Sequence, residues 1–422
     1  MVHASTATEL SAGSGLSSHV DAVMAAEQVC EAADAGIASH GGAAGRPDMA
    51  LLFVSGAHAR QMAEIAAEVR RTLDPAMLLG VTAEGVVGSD SEIEGQSAVS
   101  LLALRMPGTE VVPFTYGDLP FVGGEDDEAL ERLAAAIGAD RDLRGTLFFG
   151  DPFSVPANPM VEAMTRCRAV VPGLRGVPVI GGMASAGKAP GGNTIVINDR
   201  VMKAQGAGLS VRGNISIDTL VSQGCRPIGK PLVITEGGRN AVRKLSGRPA
   251  LEVLYETLQE LSEADRELIP NGVFVGRVIN EYKDRFGRGD FLIRGIVGID
   301  RNSGALGVGD NVKVGQTLQF HLRDAATARE DLGLLLDAQR LQMPPVGSLL
   351  VTCNGRGSNL FGERHHDARA VSAALSAAPE RPMPMAGFFA AGEIGPIGDA
   401  SFVHGFTAVL AMFRPGRRRG AE

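Results

Sequence analysis

One order of elements recurs three times along this chain, and it restricts the fold more than any other feature. An apolar run opens each occurrence, a helical pattern follows, a second apolar run ends in a glycine-rich polar turn, and a further apolar run closes it. In the first occurrence Met49 to Val54 ends at Ser55-Gly56, and Met62, Ile65, Ala66 and Val69 then recur at helical spacing. Met77 to Val81 follows, ending in Thr82-Ala83-Glu84-Gly85, and then Ala98 to Leu104. In the second, Thr146 to Phe149 ends at Gly150-Asp151-Pro152, a helix is predicted over Met160 to Cys167, and Val177 to Gly181 ends in Gly182-Met183-Ala184-Ser185. Strand material returns at Thr194 to Asn198 and Gly206 to Val211. In the third, Ser348 to Thr352 ends in Cys353-Asn354-Gly355-Arg356-Gly357, a helix is predicted over Asp367 to Leu375, and Met385 to Ala391 ends in Gly392-Glu393-Ile394-Gly395-Pro396. Phe406 to Phe413 closes it, preceded by His404. Short apolar runs bounded by Gly, Pro and Asn are core strands. The period is too long for a solenoid. The expected fold is α/β, with mixed sheets built from duplicated strand–helix–strand–strand units, two parts packed sheet to sheet and helices outside.

A different segment separates the second and third occurrences. Leu251, Leu254, Tyr255, Leu258 and Leu261 form a helix face. Gly272 to Asn280, Phe291 to Ile299 and Val312 to Leu322 are predicted strands, and Asp324 is placed to cap the helix after them. The polar stretch Arg243 to Pro249 is the expected boundary. The resulting division is a disordered start at 1–15, domains at 16–245 and 249–413, and a basic solvated tail at 414–422.

The formal charge of −8 disfavours a general nucleic-acid binder. Cys30, Cys167, Cys225 and Cys353 have no CxxC spacing, which argues against a zinc ribbon and suits a reducing compartment. No run approaches the ~20 apolar residues of a membrane span. The first residues lack the charged-then-apolar order of a signal peptide. A cytoplasmic location without membrane partners is the expectation.

Polar residues just after core strands sit where α/β folds usually bind ligands. Arg356 lies between two glycines, where backbone approaches a ligand closely, and a guanidinium there can hold a carboxylate through two parallel hydrogen bonds. Glu393 would take an ammonium group, so the pair suits an amino acid or another zwitterion. The competing structural reading is that Arg356 and Glu393 pair with each other. Asn354, Gly357 and His404 are expected around the same space, and Thr82 and Glu84 around an equivalent one in the first part. Asp151, Ser185 and Gln223 are candidates there too, with turn capping the competing role for Asp151 and Ser185. Cys353 and His404 would suit a thiolate–imidazole pair, but no third orienting residue and no oxyanion motif is visible, so no catalytic residue is assigned. Gly182 to Lys188 resembles a phosphate loop but is followed by Ala189 and Pro190. His365 and His366 are adjacent and share no helix face. Neither cofactor nor metal is expected.

Several motifs occur together in a fixed order: GVTAEGVVG at 80–88 with SEIEGQSAVSLL behind it, GGMASAG at 181–187, SQGCRPIG at 222–229, and FLIRGIVGID at 291–300. GQTLQFHLRDA at 315–325, NGRGSNLFG at 354–362, and GFFAAGEIGPIG at 387–398 with HGFT at 404–407 complete the series. In these the chain resembles the FIST proteins, with an N-terminal and a C-terminal FIST part, and among them the stand-alone bacterial type. Many relatives carry a cysteine where this chain has Val81. The resemblance implies a small-ligand-binding sensory protein, with amino acids one suggested ligand class and a downstream signalling protein as partner; it supplies no catalytic residues. Two other classes stay open: an interaction scaffold without ligand, and a cysteine-dependent enzyme using Cys353 and His404.

Overall fold

The computed structural model describes residues 9–39, 45–120, 126–378 and 381–416. The three repeats each build a six-stranded mixed sheet. The first sheet runs Ser11–Ser17, Val99–Arg105, Met49–Ser55, Met77–Ala83, Thr194–Ile197, Arg200–Lys203. In the second the order is Thr109–Thr115, Gly206–Gly213, Leu143–Gly150, Val179–Met183, Glu393–Ile397, Ala400–His404. The third runs Ile215–Gln223, Thr407–Pro415, Gly347–Cys353, Met385–Ala390, Gly85–Gly88, Ser91–Glu94. In each, the two central strands joined through a helix are parallel, and the strand beside them is antiparallel.

The outer two strands of every sheet come from another repeat. The hairpin that follows Met77–Ala83 pairs with Met385–Ala390 of the third sheet. The hairpin after Val179–Met183 pairs with Met77–Ala83 of the first. The hairpin after Met385–Ala390 pairs with Val179–Met183 of the second. The exchange is cyclic. By strand register Ala83, Met183 and Ala390 occupy equivalent ends. Glu393 opens its hairpin strand at the place Gly85 takes in the first repeat, so Glu84 sits one residue before the position equivalent to Glu393.

Strand alternation sends one set of side chains into a core shared by the three sheets, including Leu51, Phe53, Leu147, Phe149, Val351 and Phe388. The other set packs under helices. Ala50, Leu52 and Val54 lie against Ala22–Ser39 and Met62–Leu73, and Phe148 and Val179 against Asp127–Ala136 and Ala157–Cys167. These elements form one unit, made of the chain through Val221, Leu334–Val403 and the residues from Thr407 on. Residues 222–333 with 404–406 form a second unit. There Cys225–Leu245 pairs along its first half with Thr317–Arg323 and along its second with Ala305–Val312. Val273–Val278 and Phe291–Asp300 complete the circuit, and these five strands close into a barrel.

The structure departs from expectation at three places. The start expected to be disordered over 1–15 contains a strand, Ser11–Ser17, paired with Val99–Arg105; residues 1–8 lie outside the described residues. Its sequence is small rather than β-branched because the helix Ala22–Ser39 lies directly on it: a Cβ on Gly13 would meet the Ala33 carbonyl oxygen at 1.8 Å. Second, the polar stretch Arg243 to Pro249 is itself strand, the long strand running to Leu245 and a short one, Arg248–Pro249, folding back on it. Third, Val312 to Leu322 is two strands split by a turn. Of the basic tail, Arg414 is buried, donating to the Met343 carbonyl and pairing with Asp218 at 2.5 Å; residues 417–422 lie outside the described residues. Asp324 caps as expected, accepting from the Ala326 N–H at 3.0 Å.

Replacing Phe388 by Ala in the shared core should cost about 3–5 kcal/mol, and Gly13→Ala, which forces strand and helix apart, about 1–3 kcal/mol. Chemical denaturation measures both. A midpoint unchanged by either would contradict the packing described.

Candidate functional site

The turns after the central strands bring the three repeats together. Glu84, exposed at the end of Met77–Ala83, donates its N–H to Ser185 Oγ of the second repeat at 2.8 Å. Ser185 Oγ donates in turn to the Phe389 carbonyl of the third. Asn354 holds this junction from the other side. Its N–H bonds the Ala390 carbonyl at 3.0 Å, and its Nδ2 donates to Glu84 Oε2 at 3.3 Å. Thr82 faces the hairpin strand instead, with Oγ1 accepting the Thr194 N–H at 2.9 Å. Asp151 accepts from Asn193 Nδ2 and Ser154 Oγ, the turn role open to it. Gln223 belongs to the second unit, where its Nε2 donates to the Phe291 carbonyl. His404 is buried and also belongs to that unit.

Behind the junction lies a buried polar cluster. Arg356 is fully buried on its glycine-flanked loop. Gly357 has φ +59°, and a Cβ there would stand 2.7 Å from Glu94 Oε1 and 2.8 Å from the Phe389 ring. Only glycine fits. The Arg356 guanidinium does not bond Glu393. It donates Nε and Nη2 to the two oxygens of Asp367 at 2.7 and 2.9 Å and lies 5.2 Å over the Phe361 ring. Asp367 also accepts from Thr352 Oγ1 and meets His366 Nδ1, whose ring stacks on Phe361. The donated hairpin adds two more acids. Glu94 clasps the N–H and hydroxyl of Ser358, both at 3.0 Å, and Glu92 Oε1 accepts the Ala368 N–H at 2.9 Å. Glu393 accepts the Thr407 N–H and hydroxyl on Oε2, at 3.1 and 2.8 Å.

Burial and charge set the protonation of this cluster. Burial opposes the Asp367 carboxylate, but Arg356 beside it and the His366 bond hold its pKa well below the usual range. Arg356 is raised, because Asp367 outweighs the burial penalty. Burial pushes Glu393 up to about 8, against the Thr407 bonds, the Arg356 charge and the Cys353 thiol. Burial and then the Asp367 charge push Glu92 up to about 7. Among the described residues of this cluster, Arg356 Nη1 and Glu92 Oε2 have no hydrogen-bond partner, and Glu393 has, beyond Thr407, the Cys353 thiol alone. Such groups are costly to leave unmet. Among the described residues no three His, Cys, Asp or Glu side chains are placed to hold a metal ion, and no helix is long and apolar enough to cross a membrane.

Sequence reasoning missed Asp367, Glu92 and Glu94. The signal was present for the acids: Glu92 and Glu94 flank Ile93 in a strand, so both point to one face. A buried arginine also requires an acid partner, and the strongest N-terminal acid of the helix after it is Asp367.

Two measurements check this electrostatic account. In the unfolded chain Glu92 and Glu393 titrate near ~4.3. Between that pH and 7–8 the folded protein keeps protons that the unfolded chain has released, so stability should fall as pH rises through this window and level off above it. Glu393→Gln should flatten that fall and melt above the wild type at pH 8; parallel melting curves for the two would contradict it. Arg356→Ala, which strands Asp367, should cost about 3–5 kcal/mol, while Arg356→Met with Asp367→Leu recovers most of the loss. Urea denaturation of the single and double variants decides this.

Comparison with known proteins follows the same lines. The FIST N domain matches residues 48–248 and the FIST C domain residues 250–396. An uncharacterized protein of Mycobacterium tuberculosis is 38% identical over 377 residues, covering 88% of this chain and 92% of that protein. An uncharacterized protein of Mycobacterium bovis is 35% identical over 372 residues, covering 87% and 90%. A solved cyanuric acid hydrolase from A. caulinodans covers 96% of this chain and 99% of its own at 11% identity, but its TM-score of 0.29 carries no argument. FIST domains are commonly taken as small-ligand-binding sensory domains. On two domain matches that together span most of its length, this chain belongs to the FIST family.

Proposed function

We propose that the protein is a cytoplasmic sensor of a small polar metabolite, bound where the strand ends of the first unit meet, and that it hands the signal to a partner protein. One observation carries this reading: Arg356 Nη1 is buried beside a glycine-rich turn with its hydrogen-bonding capacity unused, and the buried Glu393 has, beyond Thr407, the Cys353 thiol alone as a partner. Because Nε and Nη2 are committed to Asp367, Nη1 is the guanidinium nitrogen left to donate to a ligand oxygen. Glu393, neutral over most of the range below pH 8, ionises when a ligand ammonium arrives. An amino acid supplies both groups. Asn354, Gly357 and Glu84 form the approach from solvent in this reading, with Thr82 holding the neighbouring hairpin. His404 and the Cys353 thiol are given no chemical step.

The test is thermal-shift screening of amino acids and small carboxylates, followed by calorimetry of any hit. A ligand at a hundredfold excess over Kd raises stability by about 2.7 kcal/mol. An amino acid should bind with proton release below pH 8 and more tightly as pH rises towards it. Glu393→Gln should abolish the proton release and weaken binding, while Asn354→Ala weakens binding in a protein that still folds. Absence of any shift across the panel, or a hit indifferent to Glu393→Gln, would remove this site.

A further inference from the structure

A second place in the first unit has the features of a binding site, at the opposite end of the strands. A groove of about 700 Å³ opens where Leu143–Gly150 and Val179–Met183 begin, beside the turn from Gly206–Gly213 into Ile215–Gln223. Its volume falls within the ~300–1,000 Å³ of small-molecule sites. Leu143, Ile215 and Ile217 are buried and give it an apolar floor. Arg141, Arg144 and Arg175 line the same groove, with Asp142 the single acid among the lining residues.

The chain carries 48 acidic against 40 basic residues, and a number of its surface arginines meet carboxylates, as Arg132 meets Glu128, Arg200 meets Asp118 and Arg212 meets Asp140. Among the described residues, Arg141 and Arg144 have no carboxylate within ion-pair distance. Arg144 is instead held by backbone: its Nη1 donates to the carbonyls of Leu143 and Arg141 at 3.1 and 3.3 Å. That fixes a guanidinium at the groove without neutralising it. Arg175 is oriented through Nε by Asp399 at 2.7 Å. Three arginines against Asp142 and Asp399 leave an excess of cations around a concave apolar floor, which concentrates anions there.

We infer that this groove binds a nucleotide-sized organic phosphate, its apolar body on Leu143, Ile215 and Ile217 and its phosphates on Arg141, Arg144 and Arg175. Guanidinium groups suit phosphate because they offer paired donors in a plane. The inference does not depend on the Arg356–Glu393 site, which lies beyond the other ends of the strands.

The experiment is calorimetry with ATP, adenosine and inorganic tripolyphosphate as probes. The full chain is compared with Arg141→Ala/Arg144→Ala, Glu393→Gln, and Arg417→Ala/Arg418→Ala/Arg419→Ala. ATP should bind more tightly than either adenosine or tripolyphosphate, and its affinity should fall as salt rises. The Arg141→Ala/Arg144→Ala variant, with a cooperative melting transition showing that it folds, should bind ATP at least about tenfold more weakly. Glu393→Gln and the triple variant of Arg417, Arg418 and Arg419 should bind like the wild type. Tripolyphosphate binding as tightly as ATP would mean that the floor takes no part. ATP binding unaffected by the Arg141 and Arg144 changes, or lost with the Arg417, Arg418 and Arg419 changes alone, would place it elsewhere. Each of these results, like the absence of ATP binding, overturns the inference.

Discussion

Three phenylalanines, one from each sheet of the first unit, meet in its core. Phe53 and Phe388 stack with centroids 5.2 Å apart, and Phe149 stands edge-on to both at 5.6 and 5.3 Å. All three are fully buried, and each lies one or two residues before the end of a central strand. Aromatic pairs in such geometry add about 0.5–1.5 kcal/mol beyond their area. Their larger effect is positional. Because the rings lock strand against strand this close to their ends, the turns that follow have little choice of place. The bonds among Glu84, Ser185 and Asn354 are a consequence of that convergence.

The polar cluster beyond the aromatics answers to a different constraint. One cation, Arg356, is surrounded by the acids Asp367, Glu92 and Glu393, all buried. With every acid ionised the cluster would be doubly negative in a dry interior. It avoids this by giving the carboxylate state to Asp367, the acid in two-point contact with the guanidinium, and by keeping protons on the other two near neutrality. The arrangement is a poor stabiliser compared with an apolar core. Its product is a set of buried groups whose charge responds to whatever reaches them, which is a property suited to detection.

Much of this was legible in the residues, and the exceptions have physical causes. Met49–Ser55, Gly347–Cys353 and Met385–Ala390 announce themselves because buried central strands are apolar on both faces. Ser11–Ser17 does not, because its requirement was closeness to a helix and so small side chains rather than branched ones. Cys225–Leu245 is mostly polar, since a barrel strand turns only alternate residues inward. At the site, the turns after the strands pointed to Arg356 and Glu393, but not to their partners. Asp367 is close in sequence, yet Glu92 and Glu94 arrive on a hairpin from more than 250 residues away, a relation no local pattern carries.

The cyclic hairpin exchange has a consequence for how such a chain arises and fails. Each repeat gives a two-stranded arm to a neighbour and receives one from the other, so the circuit closes after three steps. That is the connectivity of a swapped ring trimer written into one polypeptide. A single repeat cut from this protein would display an open edge and an unhoused arm, each complementary to those of an identical fragment. Such fragments have a built-in route to reassemble in threes, and an incompletely folded chain has the same route to entangle with its neighbours.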